Sequence, residues 1–122
     1  MTMIDLSFNS LKGTIPSTLA QNLSSLISIH LEGNLFSGQL PDLKYLRTLK
    51  YLYFSWNHFF GTIPATFGLI SSLLQMDLSG NNLTGIVPSN FSGLNNLTFL
   101  DLSYNPLDIT TFPVLERLSD LY

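Results

Sequence analysis

One sequence pattern recurs through most of this 122-residue chain at a nearly constant interval. Residues 73–88 read LLQMDLSGNNLTGIVP, which has the form L-x-x-L-x-L-x-x-N-x-L-x-G-x-I-P with Met76 and Val87 at two aliphatic positions. The asparagine of this pattern recurs at spacings of 25, 23, 24 and 24 residues, as Asn9, Asn34, Asn57, Asn81 and Asn105. A fixed period of this length is typical of a solenoid, in which each repeat buries its hydrophobic face against its neighbours.

Each repeat is expected to contribute one short strand to a parallel sheet on the inner side of the solenoid. The sequence L-x-L places two aliphatic side chains on one face of an extended chain, because successive side chains alternate. These pairs are Ile4/Leu6, Ile29/Leu31, Leu52/Phe54, Met76/Leu78 and Leu100/Leu102. The asparagine three residues after each pair is expected to end the strand and to satisfy buried backbone groups of adjacent coils, as one rung of a ladder.

A glycine and a proline follow the first four asparagines in the form G-x-I-P. The copies read GTIP, GQLP, GTIP and GIVP, at residues 13–16, 38–41, 61–64 and 85–88. The glycine suits a backbone conformation or a close approach that a side chain would obstruct, and the proline fixes an extended segment. With this element, residues 1–107 resemble the plant-type leucine-rich repeat. The resemblance implies an α/β-type repeat solenoid, a right-handed coil with a parallel inner β-sheet and an irregular or short-helical convex side.

The repeats differ in length only on the return path after the proline, which takes ten, eight, nine and nine residues to reach the next repeat. The fifth copy departs from the pattern, since Ile109 replaces the glycine and Phe112 the proline. After Pro113, apolar residues recur at roughly helical spacing. The sequence therefore predicts an array of about five repeats in residues 1–107. Residues 108–122 are predicted to form a degenerate repeat end or a short helical cap.

Composition excludes several kinds of function. The net charge of -3 and the absence of a basic run argue against nucleic acid binding, and the absence of cysteine excludes thiolate chemistry. No apolar stretch approaches the 18 or so residues that a membrane span needs. No signal peptide precedes the first repeat, because Met1 already occupies its first aliphatic position. The chain is therefore interpreted as a fragment of a longer protein or as a truncated product.

The titratable residues do not form a recognisable catalytic or metal site. His30 and His58 lie on different repeats, without a serine or cysteine partner at a catalytic spacing, and are expected to be surface histidines. Asp5, Asp77 and Asp101 share one outward column, where neighbouring carboxylates can bind a cation or share a proton. The sequence LDLS is, however, the ordinary strand sequence of this repeat. We therefore expect no metal, no cofactor and no enzymatic activity.

The outward positions of the inner sheet are least regular in the middle of the chain. Repeats 2 and 3 read IHLEGN and LYFSWN, whereas the other three carry the default DLS. This places Tyr51, Tyr53 and Trp56 on the third strand, beside His30 and Glu32 of the second, all expected on the concave face. Exposed aromatics with a polar group are typical of binding surfaces; the alternative is that these rings pack on one another or on an absent neighbouring segment. We predict these five residues to be the ligand-binding site.

Four N-x-Ser/Thr sequons mark potential glycosylation sites, at Asn22, Asn82, Asn90 and Asn96. The repeat consensus itself generates some of them, as in NNLTG and NNLTFL. The sequons are therefore weak support for an extracellular ancestry.

What the resemblance implies for function is non-catalytic recognition, because the repeat is similar to the ectodomains of plant receptor-like kinases and receptor-like proteins. It implies a peptide, a small hormone or a protein partner on the concave face, and an extracellular or plasma-membrane-associated location. Five strands span about 19 Å, room for about six extended peptide residues. Two alternatives are a secreted inhibitor resembling the polygalacturonase-inhibiting proteins, and a truncated product without independent function that self-associates end to end.

Overall fold

A computed structural model describes residues 1–108, which form five coils of a solenoid. Along the chain the elements are β1 (Met3–Asp5), β2 (Lys12–Gly13), α1 (Leu19–Asn22), β3 (Ser28–His30), β4 (Leu35–Gln39), β5 (Tyr51–Tyr53), β6 (His58–Thr62), a 3-10 helix (Ala65–Leu69), β7 (Gln75–Asp77), β8 (Asn82–Thr84), a second 3-10 helix (Ser89–Gly93) and β9 (Phe99–Asp101).

The inner sheet has five parallel strands in the order β1-β3-β5-β7-β9, as the repeat predicts. The first aliphatic residue of each pair lies directly beside its counterpart on the next coil, so that Ile29 pairs with Leu52 and Leu52 with Met76. These three side chains are fully buried. The register of the inner sheet therefore equals the register of the sequence repeat.

A second parallel sheet, β2-β4-β6-β8, lies where each coil leaves its asparagine, and the sequence interpretation did not include it. Its side chains alternate, since Phe59 of β6 is fully buried while His58 and Phe60 are exposed. The pairing is staggered: Phe60, the third residue after Asn57, pairs with Asn82, the first residue after Asn81. The convex side predicted as irregular or short-helical thus begins only after the proline.

The length of the return path decides which helix the convex side contains. The ten-residue path of the first coil contains α1, and the two nine-residue paths contain the 3-10 helices. Residues 41–49, which lie within the described range, form turns and no helix over an eight-residue path. A 3-10 helix rises more steeply per residue than an α-helix, so it spans the same path with fewer residues.

The predicted asparagine ladder is present and connects each coil to the one before it. Asn57 donates from Nδ2 to the carbonyl oxygen of Leu31 at 2.9 Å, and its Oδ1 accepts the backbone N–H of Phe36 at 3.0 Å. Asn34, Asn81 and Asn105 make the equivalent pair of bonds. Each amide therefore satisfies backbone groups that the turn leaves without a backbone partner.

Phenylalanine side chains fill the core between the two sheets and beneath the convex side. Phe54 follows β5 and lies 5.5 Å from the ring of Phe59 in β6, which lies 6.5 Å from Phe36 in β4. Phe67 and Phe91, one in each 3-10 helix, are fully buried as well. Burial of these rings adds to the hydrophobic stabilisation that the buried leucine and isoleucine side chains supply.

The predicted degenerate end or cap lies outside the described residues from residue 109 onward, and it stays a prediction. Within residues 1–108, no helix has the length and apolar character needed to cross a membrane.

Candidate functional site

The default strand sequence DLS makes a local hydrogen-bonded turn on the concave face. The Oδ1 atom of Asp77 accepts the backbone N–H of Ser79 at 3.0 Å and its hydroxyl at 2.6 Å. Asp5 with Ser7, and Asp101 with Ser103, do the same. The bonds from Ser7, with a smaller contribution from the charge of His30, lower the pKa of the Asp5 carboxyl although burial opposes them. The aspartates thus have a structural role at the ends of β1, β7 and β9.

Coils 2 and 3 replace these turns with one contact inside coil 2 and with contacts between coils. The Nδ1 atom of His30 lies 3.3 Å from Oε1 of Glu32, and the His30 ring lies 4.7 Å from the ring of Tyr53. The Tyr53 hydroxyl donates to Oε1 of Gln75 on the next coil. His30, Glu32, Tyr53 and Gln75 therefore form one group across three coils, which we call the concave cluster.

Glu32 has one oxygen without a partner in the concave cluster. Its side chain is only 18% exposed, and within residues 1–108 its Oε2 atom is buried without a hydrogen bond. A buried carboxylate oxygen costs free energy unless a donor satisfies it. Within residues 1–108, Oε2 of Glu32 is therefore the buried acceptor of the concave cluster that has no donor.

Tyr51 lies at the edge of the concave cluster, and Trp56 lies apart from it. Tyr51 is half-buried and pairs with Gln75 in the inner sheet. Trp56 follows β5 with a φ of 53°, and its ring lies over Gly80 and 5.5 Å from the ring of Tyr104. The five predicted site residues are thus divided between two surfaces. Gln75 was missed, because its role depends on a contact between coils.

The surface that holds Trp56 is a stripe of alternating aromatic residues and glycines, which we call the rim stripe. It runs through Phe8, Gly33, Trp56, Gly80 and Tyr104, one residue from each coil. A methyl group at Gly33 would lie 2.6 Å from the Phe8 ring, and one at Gly80 would overlap the Trp56 ring. Each of these two rings therefore rests on the glycine of the next coil. Any larger residue at that glycine position would collide with the ring.

Between the rim stripe and the second sheet lies an open depression of about 630 Å³. Trp56, His58, Phe60, Asn82 and Tyr104 are among its lining residues. His58 is exposed there, as expected of a surface histidine. Among residues 1–108, no group of three or more histidine, cysteine, aspartate or glutamate side chains is arranged to hold a metal ion.

The ionisation of Tyr53 provides a test of the concave cluster. Burial raises the pKa of the Tyr53 hydroxyl above 10.0, and nearby Tyr51, Glu32 and Asp77 add to this when they are charged. We expect an ultraviolet titration of phenolate formation, with Tyr53→Phe as the reference, to show one tyrosine titrating late. Because the folded pKa is raised, stability should be intact below about pH 10 and fall as the pH rises through the folded value.

Glu32→Gln should bring the Tyr53 pKa closer to 10.0, since it removes one of the negative charges that raise it. Asp42→Asn, among the convex turns, is the control, because Asp42 is not one of the charges that raise the pKa of Tyr53. A Tyr53 titration that Glu32→Gln leaves unchanged would contradict the proximity of these two groups.

The repeat, the two parallel sheets and the asparagine ladder define a solenoid of one family. The family model described as "Leucine rich repeat" matches residues 47–107, which is 61 of the 122 residues, and a second one described as "Leucine Rich Repeat" matches residues 1–22. The chain belongs to the leucine-rich repeat family.

The relatives of this chain are plant receptor-like proteins. Receptor-like protein 32 of Arabidopsis thaliana is 37% identical over 85 residues, which covers 65% of this chain and 10% of that protein. The chain thus spans a tenth or less of the length of the curated relatives it matches.

Solved structures of the same family superimpose closely on the described coils. The crystal structure of PEPR1-AtPEP1 gives a TM-score of 0.92 at 37% identity, covering 99% of this chain and 17% of that one. The plant peptide hormone receptor RGFR1 in complex with RGF2 gives a TM-score of 0.90 at 37% identity, covering 98% and 19%.

Proposed function

We propose that this chain is a non-catalytic recognition module, equivalent to part of a plant receptor-like ectodomain, and that it binds an extended peptide or protein segment through the concave cluster. The observation that carries the proposal is the Glu32 side chain, whose Oε2 atom has no hydrogen bond within residues 1–108, beside the His30 and Tyr53 rings, whose centroids lie 4.7 Å apart. The rings offer contact area that loses little conformational entropy on binding, and the carboxylate offers one directed polar contact.

The charge of the concave face favours a basic ligand. The outward positions of the five inner strands, together with the position two residues after each strand, hold neither lysine nor arginine. They hold four carboxylates: Asp5, Glu32, Asp77 and Asp101. The aspartates keep a second oxygen besides the Oδ1 atom that binds serine. A lysine, an arginine or a free amine would be attracted by these charges, and a turn of the partly exposed Glu32 side chain would bring its buried Oε2 atom to the cation.

The structural relatives support a peptide as the ligand. One of them is a plant peptide hormone receptor in complex with RGF2, and another is the complex PEPR1-AtPEP1. An extracellular or membrane-associated location is proposed on the same basis.

The test uses a random hexapeptide library displayed on phage and panned against the immobilised chain. We expect recovered peptides to be enriched in lysine or arginine and to bind in a salt-dependent manner. Glu32→Gln and Tyr53→Ala should each weaken their binding about tenfold or more, because each removes a central contact.

Tyr45→Ala is the matched control, since Tyr45 is 51% exposed and lies among the convex turns. It should leave binding unchanged. Peptides that bind wild type and both concave variants equally would exclude the concave cluster as the site.

End-to-end self-association is a second candidate, and the first coil favours it. Met3, Leu6, Phe8 and Leu11 are all at least 39% exposed there, whereas Leu31 in the second coil is 3% exposed. An apolar coil surface of this kind fits another coil. Sedimentation velocity at several concentrations would separate a monomer that binds peptides from a stack of chains. The inhibitor alternative has no separate structural support.

A further inference from the structure

The four sequons differ in what their asparagine side chains do in the folded chain. Asn90 donates from Nδ2 to the carbonyl oxygen of Ala65 at 2.7 Å, and its side chain packs against Gly68 of the preceding coil. Asn96 donates to the carbonyl oxygen of Ser71 at 3.0 Å. These two amides hold adjacent coils together, so a sugar on either would disturb a contact between coils.

Asn82 is different, because it is exposed and its side-chain amide has no hydrogen bond within residues 1–108. Asn22, at the end of α1, is also exposed without a hydrogen bond to its side chain in that range. Asn82 opens β8, and the hydroxyl-bearing residue of its sequon, Thr84, is exposed on the same strand. The sequon is therefore accessible on the outer face of the second sheet.

The residue directly beside Asn82 in the second sheet is Phe60. Paired residues of adjacent parallel strands point to the same face about 4.8 Å apart. The Phe60 ring is 48% exposed and, with Asn82, lines the depression between the second sheet and the rim stripe. An exposed phenylalanine thus lies beside the one attachment point in the described sheets that is free to carry a sugar.

We propose that Asn82 carries an N-linked glycan whose first N-acetylglucosamine covers the face of Phe60. The apolar face of the sugar would remove the ring from water, while its hydroxyl groups stay solvated. This glycan depends on the proposed extracellular role in one respect, since the chain has to enter the secretory pathway to receive it.

The reaction is a transfer of an oligosaccharide from a lipid-linked pyrophosphate donor. The bond between C1 of the sugar and the pyrophosphate oxygen breaks, and a bond from C1 to Nδ2 of Asn82 forms. One Nδ2 proton leaves, and the lipid pyrophosphate is the leaving group. No other residue of this chain changes covalently.

The full chain would be secreted from a eukaryotic host behind a heterologous signal sequence, and its glycopeptides would be mapped by mass spectrometry. We expect occupied Asn82, and loss of that glycopeptide in both Asn82→Gln and Thr84→Ala. Secreted protein that carries sugar at Asn22 but none at Asn82 would overturn the proposal. This readout is independent of peptide binding, so it separates failure of the glycan from failure of the proposed function.

The contact with Phe60 is tested by a double-mutant cycle of melting temperatures. The cycle compares wild type, Thr84→Ala, Phe60→Ala and the double variant, all secreted and all treated with an endoglycosidase that leaves one N-acetylglucosamine at each occupied asparagine; the two variants with Thr84→Ala lack the sugar at Asn82. We expect the sugar to raise the melting temperature by about 4 °C when Phe60 is present and by less than about 1 °C when it is alanine. The same four chains made in bacteria, which add no such sugar, give the effect of the substitutions alone. An equal increase with and without Phe60 would contradict the contact.

Discussion

Asn57→Ala is expected to lower the free energy of unfolding by about 2–4 kcal/mol. Asn57 is 5% exposed, and its amide donates to the carbonyl oxygens of Leu31, Phe54 and Ser55. Alanine leaves the buried N–H of Phe36 without the acceptor that Oδ1 provides. A buried donor left without an acceptor costs more free energy than a typical hydrogen bond contributes. Asn57→Ala should therefore destabilise the chain more than removal of an asparagine side chain from an exposed turn. Urea denaturation followed by circular dichroism measures it.

Asn9→Ala is the matched control at the same position of the first coil. Its amide donates only to Leu6 and Ser7 of its own coil, at 3.0 Å in both cases, and the residue is exposed. Its replacement should cost under about 1 kcal/mol. Equal losses in the two variants would mean that the asparagine stabilises its own turn and that the bonds between coils contribute little.

Phe54→Ala is expected to cost about 3–5 kcal/mol, through lost burial and the cavity that remains. The side chain is fully buried and contacts Phe59, so it joins the inner sheet to the second sheet within the third coil. A loss of this size is a large part of the stability of a small domain. Thermal and urea unfolding of the variant should both show it.

Phe60→Ala, made without glycan, is the control for this prediction, because Phe60 lies in β6 next to Phe59 but is 48% exposed. It should change stability by about 0.5 kcal/mol or less. A Phe54→Ala variant as stable as Phe60→Ala would show that neighbouring coils repack around the missing ring. The costs of Phe54→Ala and Asn57→Ala should not add, because residues in contact couple: Asn57 donates to the backbone carbonyl oxygen of Phe54, and loss of the Phe54 side chain can move that backbone.

Local spacing determines the parts of this fold that the sequence predicts well. The L-x-L pairs define the inner sheet because a two-residue period can bury only one face, and the asparagine at a constant distance defines the ladder. The second sheet obeys the same period, since Phe59, Gly61 and Ile63 alternate with exposed Phe60 and Thr62. It was missed because a central glycine is normally unfavourable in a strand. Gly61 has a φ of 82° here.

The candidate site was predicted only in part, because its contacts lie between coils. Coils 2 and 3, which depart from DLS, contain the contact between the rings of His30 and Tyr53, whose centroids lie 4.7 Å apart. Counting outward positions does not show that Tyr53 reaches Gln75, or that Trp56 turns away onto Gly80. Such contacts depend on the directions of the side chains and on the positive φ of Trp56. The sequence pattern of the repeat specifies neither of them.

The rim stripe limits how the number of repeats in such a chain can change. Phe8 rests on Gly33 and Trp56 rests on Gly80, so aromatic and glycine coils alternate. Loss of the second coil alone would bring Phe8 against Trp56 with no glycine to receive its ring. Loss of the second and third coils together would bring Phe8 onto Gly80 and keep the alternation. At this surface the unit that evolution can add or remove without a clash is therefore a pair of coils.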